Sequence, residues 1–253
     1  TTLADVEQIK NLYYGGVSEA DAQIGDVLDA LAQRKILDDT LVVVMSDHGE
    51  SLGEQDLWEH DHMVQTNLRI PLILRWPKHL PAGKRVAAIV DEIDVLPTVC
   101  DLMGLALPQS GSEQGKIDGA SLVPLVRGEA DSVREFSLAE NATYVSAQDR
   151  HFKVVVPHAA LAGPEAWSRA LQEKAESPRL YDLERDPEER FNQMRKDPAA
   201  ASRLFEKIRT WNESLPIPPD VLDASPRDIE NQKLIMKRLG YTGDETTDPK
   251  KKP

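Results

Sequence analysis

Leu41-Val42-Val43-Val44-Met45 is an apolar run rich in β-branched side chains that follows the polar turn Asp38-Asp39-Thr40 and stops at Ser46-Asp47-His48-Gly49-Glu50. Such a run reads as a buried parallel strand that delivers polar side chains at its carboxyl end. In open α/β sheets that end faces the ligand crevice, so an Asp and a His placed there mark where chemistry is expected. The plainer reading is that they only terminate the strand, with Asp47 as a cap and Gly49 supplying the bend.

The flanking segments place this run in an α/β unit. Upstream, Tyr13, Val17, Ala20, Ile24, Leu28 and Leu31 recur at three- and four-residue steps, the stripe of an amphipathic helix lying on a sheet. Downstream, residues 52–67 lack clean periodicity and read as a long active-site loop. Residues 69–75 form a second apolar strand and residues 86–90 a third. A helix then runs from the cap Asp94 through Pro97 in its first turn to Gly104, with Cys100 a small core residue on its apolar side.

Residues 109–119 read as a polar loop, and Asp118 to Leu125 restart structure that ends at Gly128. Strands at 136–140, 151–156 and 180–183, the turn Asp186-Pro187 and a helix at 198–211 suggest an α+β subdomain. Pro216, Pro218 and Pro219 open an extended tail, residues 228–239 form a last helix, and residues 243–253 are polar. The expected fold class is α/β. Residues 1–130 supply part of a large mixed sheet flanked by helices, and residues 131–253 a small C-terminal α+β subdomain with an extended tail.

Composition narrows the partners. A net charge of −13 over 253 residues argues against nucleic acid, whose phosphates need clustered Lys and Arg. It also repels an anionic substrate, so a local cation such as a metal ion is expected to draw one in. No apolar run approaches the roughly 20 residues of a spanning helix, so no membrane span is expected. Cys100 is the one cysteine, which excludes an internal disulfide. Thr1 already lies inside a helical pattern, as it would in the middle of a longer polypeptide.

Adjacent Asp47 and His48 can reach one cation only where the backbone leaves the alternation of a strand, a departure that Gly49 permits. Two ligands are too few for a site. Glu50, Glu54, Asp56, His60, Asp61 and His62 lie nearby, and none has a spacing that forces a ligand role. His60 and His62 are either solvated loop histidines or groups that bind an oxyanion or protonate a leaving oxygen. His79, His151 and His158 are read as structural. No dinucleotide or phosphate-binding Gly-rich loop and no Gly-x-Ser-x-Gly elbow occurs, so no residue qualifies as a nucleophile.

Ser46-Asp47-His48-Gly49-Glu50-Ser51-Leu52-Gly53-Glu54 resembles the second metal-binding motif of the sulfatases, in the alkaline phosphatase superfamily. The helix at 14–31 resembles the one preceding that motif. The likeness continues through Arg69-Ile70-Pro71-Leu72-Ile73, Asp94-Val95-Leu96-Pro97-Thr98, Asp118-Gly119-Ala120-Ser121-Leu122, Leu180-Tyr181-Asp182-Leu183-Glu184-Arg185-Asp186-Pro187 and Leu239-Gly240-Tyr241. It implies a sulfuric ester hydrolase with one divalent cation, usually Ca2+, beside a formylglycine made from Cys or Ser. By this carry-over Asp47 and His48 are metal ligands, and His60 stands where members have a Lys or His contacting the sulfate group, with His62 as the fallback.

The sequence also departs from the family pattern. The Cys/Ser-x-Pro-Ser/Ala-Arg nucleophile motif is absent, and Asp-Leu-Met follows Cys100. The family's two amino-terminal metal-binding aspartates have no counterpart before Thr1. The chain therefore resembles the carboxyl-terminal half of a sulfatase, with the formylglycine expected outside it, the missing N-terminal half as its partner, and a sulfate ester as substrate. Taken alone it is expected to be inactive. Gln55 replaces a frequent His, and His60 replaces a common Lys, so a phosphodiesterase or phosphonate monoester hydrolase of the same superfamily is the alternative, and a non-catalytic fragment the third reading. His48, where many sulfatases carry Asn, also suits Mn2+ or Zn2+.

Overall fold

A computed structural model describes residues 2–107, 117–162, 165–172 and 177–215. Thr1–Glu213 forms one compact unit and Ser214–Pro253 another. The expected helix at 228–239, the extended and polar tail segments, Leu239-Gly240-Tyr241 and most of the polar loop at 109–119 lie outside the described residues.

Helix α1 (Leu3–Gln33) starts at a capping box, in which Thr2 accepts from Asp5 N at 3.2 Å and Asp5 from Thr2 N at 2.7 Å. None of its residues is buried, and Tyr13, Val17 and Ile24 are exposed, so among the described residues its apolar stripe is not covered by a sheet as expected.

Strand β1 (Val42–Met45) corrects a second expectation. A run of β-branched residues favours a strand but fixes neither direction nor depth. Across a loop holding the hairpin β2 (Ser51–Leu52) and β3 (Trp58–Glu59) and the short helix α2 (Gln65–Leu68), β4 (Leu72–Arg75) returns antiparallel beside β1, in the register Val43↔Leu74. With one ladder partner among the described residues, β1 is half-buried. Residues 52–67 are thus partly regular, whereas residues 86–90 carry no strand, since no ladder partner reaches them among the described residues.

Helix α3 (Val95–Met103) ends at Gly104, whose φ of 66° needs glycine's freedom, and Cys100 is buried on it as expected. Asp94 does not cap α3 with its side chain. Fully buried, it instead accepts from Asp91 N and Ala120 N, each at 2.8 Å, and pairs with Arg134, so it ties the start of α3 to the segment before α4 (Val123–Arg127).

The remainder is an antiparallel sheet ordered β5 (Ser137–Glu140), β6 (Tyr144–Gln148), β7 (Phe152–Pro157) and β8 (Arg179–Asp182), with α5 (Ala166–Ala170) between β7 and β8 and α6 (Pro198–Ser214) after it. Strand alternation divides the two faces. Val145, Ala147, Val154, Val156 and Leu180 pack against Ala201, Leu204, Phe205 and Ile208 of α6. Burying each such large aliphatic side chain contributes about 1.5–3 kcal/mol. Val155 and Tyr181 face the other way and pack against Met63, in the loop that carries His60 and His62. The sheet therefore serves the core on one side and the candidate site's loop on the other.

Candidate metal and ester-hydrolysis site

Strand β1 ends at Met45, and the next residues turn on their own side chains. Ser46 Oγ donates to His48 O at 2.6 Å, and His48 N donates to Asp47 Oδ1 at 2.9 Å. That backbone donor holds the Asp47 carboxyl below the usual carboxylate range, so it stays an anion. His48 Nδ1 lies 2.9 Å from the carbonyl oxygen of Gly49. A carbonyl only accepts, so the proton of neutral His48 sits on Nδ1, and Nε2 carries the lone pair a metal would need. Nε2 is 3.8 Å from Asp47 Oδ2, so the two groups face a common space.

Gly49 is required for a reason other than the expected bend, because its backbone is not left-handed. A Cβ there would stand 2.0 Å from Thr66 O. Gly49 N donates to Asn67 O at 2.7 Å, so the strand end is threaded directly against α2. Ser51, fully buried, reinforces the seam through Thr66 Oγ1 at 2.8 Å and Asn67 Oδ1 at 3.2 Å.

His60 reaches the same place through the hairpin. Ser51 pairs with Glu59 across β2 and β3, which brings the neighbouring positions 50 and 60 together. His60 Nδ1 lies 3.2 Å from Glu50 Oε2, and its ring stacks on His48 with centroids 4.2 Å apart. Ligand atoms of His48, Glu50 and His60 all lie within 4.8 Å of one another. The Glu50 contact is the feature sequence reasoning missed, and the turn residues from Gly53 to Asp56 were the signal that two strands fold back there. His62 turns away: its Nε2 lies 2.9 Å from Trp58 O. Glu54 instead accepts from Leu52 N at 2.6 Å, and Asp61 from Asn141 Nδ2 at 3.0 Å.

His48, Glu50 and His60, two imidazoles and one carboxylate, fit a divalent cation, and Asp47 adjoins them through His48 Nε2. The face lies open, with the Asp47 side chain 72% exposed. A cleft of about 1060 Å3 between α3 and β5 takes only Met45 from this strand end, and its lining is otherwise mostly apolar. Among the described residues no helix is long and apolar enough to cross a membrane.

Helices beside antiparallel strands, with polar side chains gathered where a strand ends, fit the alkaline phosphatase superfamily. Residues 1–105 match the family model described as Sulfatase. The choline-sulfatase of Rhizobium meliloti is 32% identical over 195 residues, covering 76% of this chain and 34% of that protein. Human arylsulfatase K is 28% identical over 211 residues, covering 83% and 38%. Among solved structures, the phosphonate monoester hydrolase of Agrobacterium radiobacter superposes with a TM-score of 0.67 at 26% identity, covering 84% of this chain and 42% of that one. The chain belongs to the sulfatase family. It spans about a third of the length of the curated relatives it matches.

Proposed function

We propose that this chain is the carboxyl-terminal part of a metal-dependent sulfuric ester hydrolase and contributes one wall of its active site. The observation that carries the reading is the meeting of Asp47 Oδ2 and His48 Nε2 at 3.8 Å, with the His60 ring stacked on His48. Asp47 and His48 would hold a divalent cation, Ca2+ by family habit and Mn2+ or Zn2+ by the chemistry of an imidazole ligand. When bound, the cation supplies Lewis-acid neutralisation of charge on the transferred group.

The chain's own residues then act as follows. The Gly49 carbonyl keeps the His48 proton on Nδ1. Glu50 accepts from His60 Nδ1 and fixes that ring. His60 contacts the transferred group and, when protonated, stabilises its oxyanion or donates to the leaving oxygen. The nucleophile, a formylglycine in the family pattern, and the remaining metal ligands come from polypeptide beyond these 253 residues. The division into a catalytic part at 1–130 and an α+β subdomain at 131–253 belongs to the same proposal.

The second reading, phosphonate monoester hydrolysis, is favoured by the likeness to the Agrobacterium enzyme. Turnover of matched aryl sulfate and aryl phosphonate esters by the complete enzyme tests both. The sulfatase reading expects the sulfate ester to have the higher kcat/KM, the reverse order establishes the alternative, and turnover of neither leaves a non-catalytic chain.

A further inference from the structure

Lys153 lies in the middle of β7 with none of its side chain exposed, an expensive place for an ammonium. Burial pushes its pKa down, against the pull of the Glu189 carboxylate. Alternation along β7 turns it away from the α6 core and toward the loop. There Nζ donates to Met63 O at 2.7 Å and pairs with Glu189 Oε1. Glu189 is itself buried and sits at a φ of 57°, a conformation that non-glycine residues rarely adopt. Its second oxygen, Oε2, accepts from Gln65 N at 2.6 Å. A buried ion pair thus ends on two backbone groups, Met63 O and Gln65 N, just beyond His60.

We propose that Lys153 and Glu189 are positioning residues for His60, a clamp by which the C-terminal sheet sets the loop's distance from the strand end that carries Asp47 and His48. Breaking the clamp frees the loop at Met63 and Gln65, whereas the Asp47–His48 contact is made within the strand end itself. The kinetic consequence rests on the ester-hydrolase reading, whereas the structural one does not.

Gln65 offers the cleanest cut. It is the first residue of α2, where proline is tolerated because that N–H has no partner within the helix, and Val64 before it is extended, as a residue preceding proline must be. Gln65→Pro removes the donor to Glu189, and Gln65→Ala keeps it while losing only the side-chain bond to Gln148 at 2.5 Å. In the complete enzyme the readouts are the His60 imidazole resonances, Mn2+ affinity by titration, and steady-state kinetics on an aryl sulfate.

The clamp predicts that the Ala variant matches wild type. The Pro variant should show shifted or broadened His60 signals, kcat lowered by about tenfold, and KM and Mn2+ affinity within about twofold. The double variant Lys153→Met/Glu189→Gln, which removes both charges together, should reproduce the His60 change. If His60 signals in Gln65→Pro match those in Gln65→Ala, the clamp is refuted. If wild-type enzyme turns over neither ester, the hydrolase reading fails, and the imidazole spectra alone decide for or against the clamp.

Discussion

His48 and His60 stack with ring planes 18° from parallel and centroids 4.2 Å apart, although twelve positions separate them in the chain. The contact joins a strand end, fixed by its ladder with β4, to a hairpin fixed by the register of β2 and β3. It brings two imidazoles from separate elements onto one face.

His60 and His62 should separate clearly on substitution. In the complete enzyme His60→Ala is expected to lower kcat by about 10²–10³-fold, the usual loss when one group serving a developing oxyanion is removed. His62, tied to the Trp58 carbonyl, should tolerate Ala within about twofold, the range of a substitution away from the chemistry. Steady-state kinetics on an aryl sulfate check both, and equal losses would show that the roles are not divided in this way.

Glu50 is either a partner of His60 or a metal ligand. The proposal makes it a partner, so Glu50→Gln should lower kcat by about tenfold, as loss of an orienting carboxylate does, while metal affinity changes by less than about twofold. Calorimetric titration with Mn2+ measures the second quantity. A large fall in affinity would move Glu50 into the ligand set.

Gly49→Ala forces a Cβ onto the Thr66 carbonyl, which can yield only by a backbone shift. A cost of about 1–3 kcal/mol follows from overpacking of this kind. Urea unfolding of the 253-residue chain should show it as a lower midpoint, and an unchanged midpoint would mean that the seam between β1 and α2 is loose.

Asp149, in the turn between β6 and β7, gives a pH dependence. Burial alone would raise its pKa. Donation from Phe152 N at 2.7 Å and His151 N at 2.8 Å, with the Arg203 ion pair, outweighs burial and holds it below its ordinary value. A carboxyl depressed in the folded state contributes stability that is present above its unfolded pKa and lost as pH falls through the folded value. Asp149→Asn should therefore be less stable than wild type at pH 7 by about 1 kcal/mol, the scale of one net hydrogen bond. The gap should narrow below about pH 4, the unfolded carboxylate value. Denaturant titrations at several pH values test this, and a gap independent of pH would contradict it.

Sequence patterns revealed elements whose own residues specify them. Val42–Met45 and Phe152–Pro157 are runs of strand formers, and Pro198–Ser214 carries a helical stripe that does bury against the sheet. Tyr144–Gln148 escaped notice because its strand state comes from pairing with β5 on one edge and β7 on the other. The same division holds at the site. Asp47 and His48 are adjacent, so their nearness is legible in the chain, whereas Glu50 meets His60 only through hairpin register. Lys153 interrupts an apolar run and looks like a solvent-facing residue, because its partner Glu189 lies far along the sequence. The direction and half-burial of β1 were illegible for a related reason: an apolar strand does not encode which neighbour it finds.

The central claim is that Asp47 and His48 together grip a divalent ion, and metal content with turnover in the complete enzyme tests it most directly. Wild type and Asp47→Ala would be purified in parallel, equilibrated with one divalent metal, and assayed for bound metal and aryl sulfate hydrolysis. The account predicts that occupancy and activity fall together in the variant, each by about tenfold or more, as loss of a ligand requires. Full metal occupancy in Asp47→Ala would contradict it.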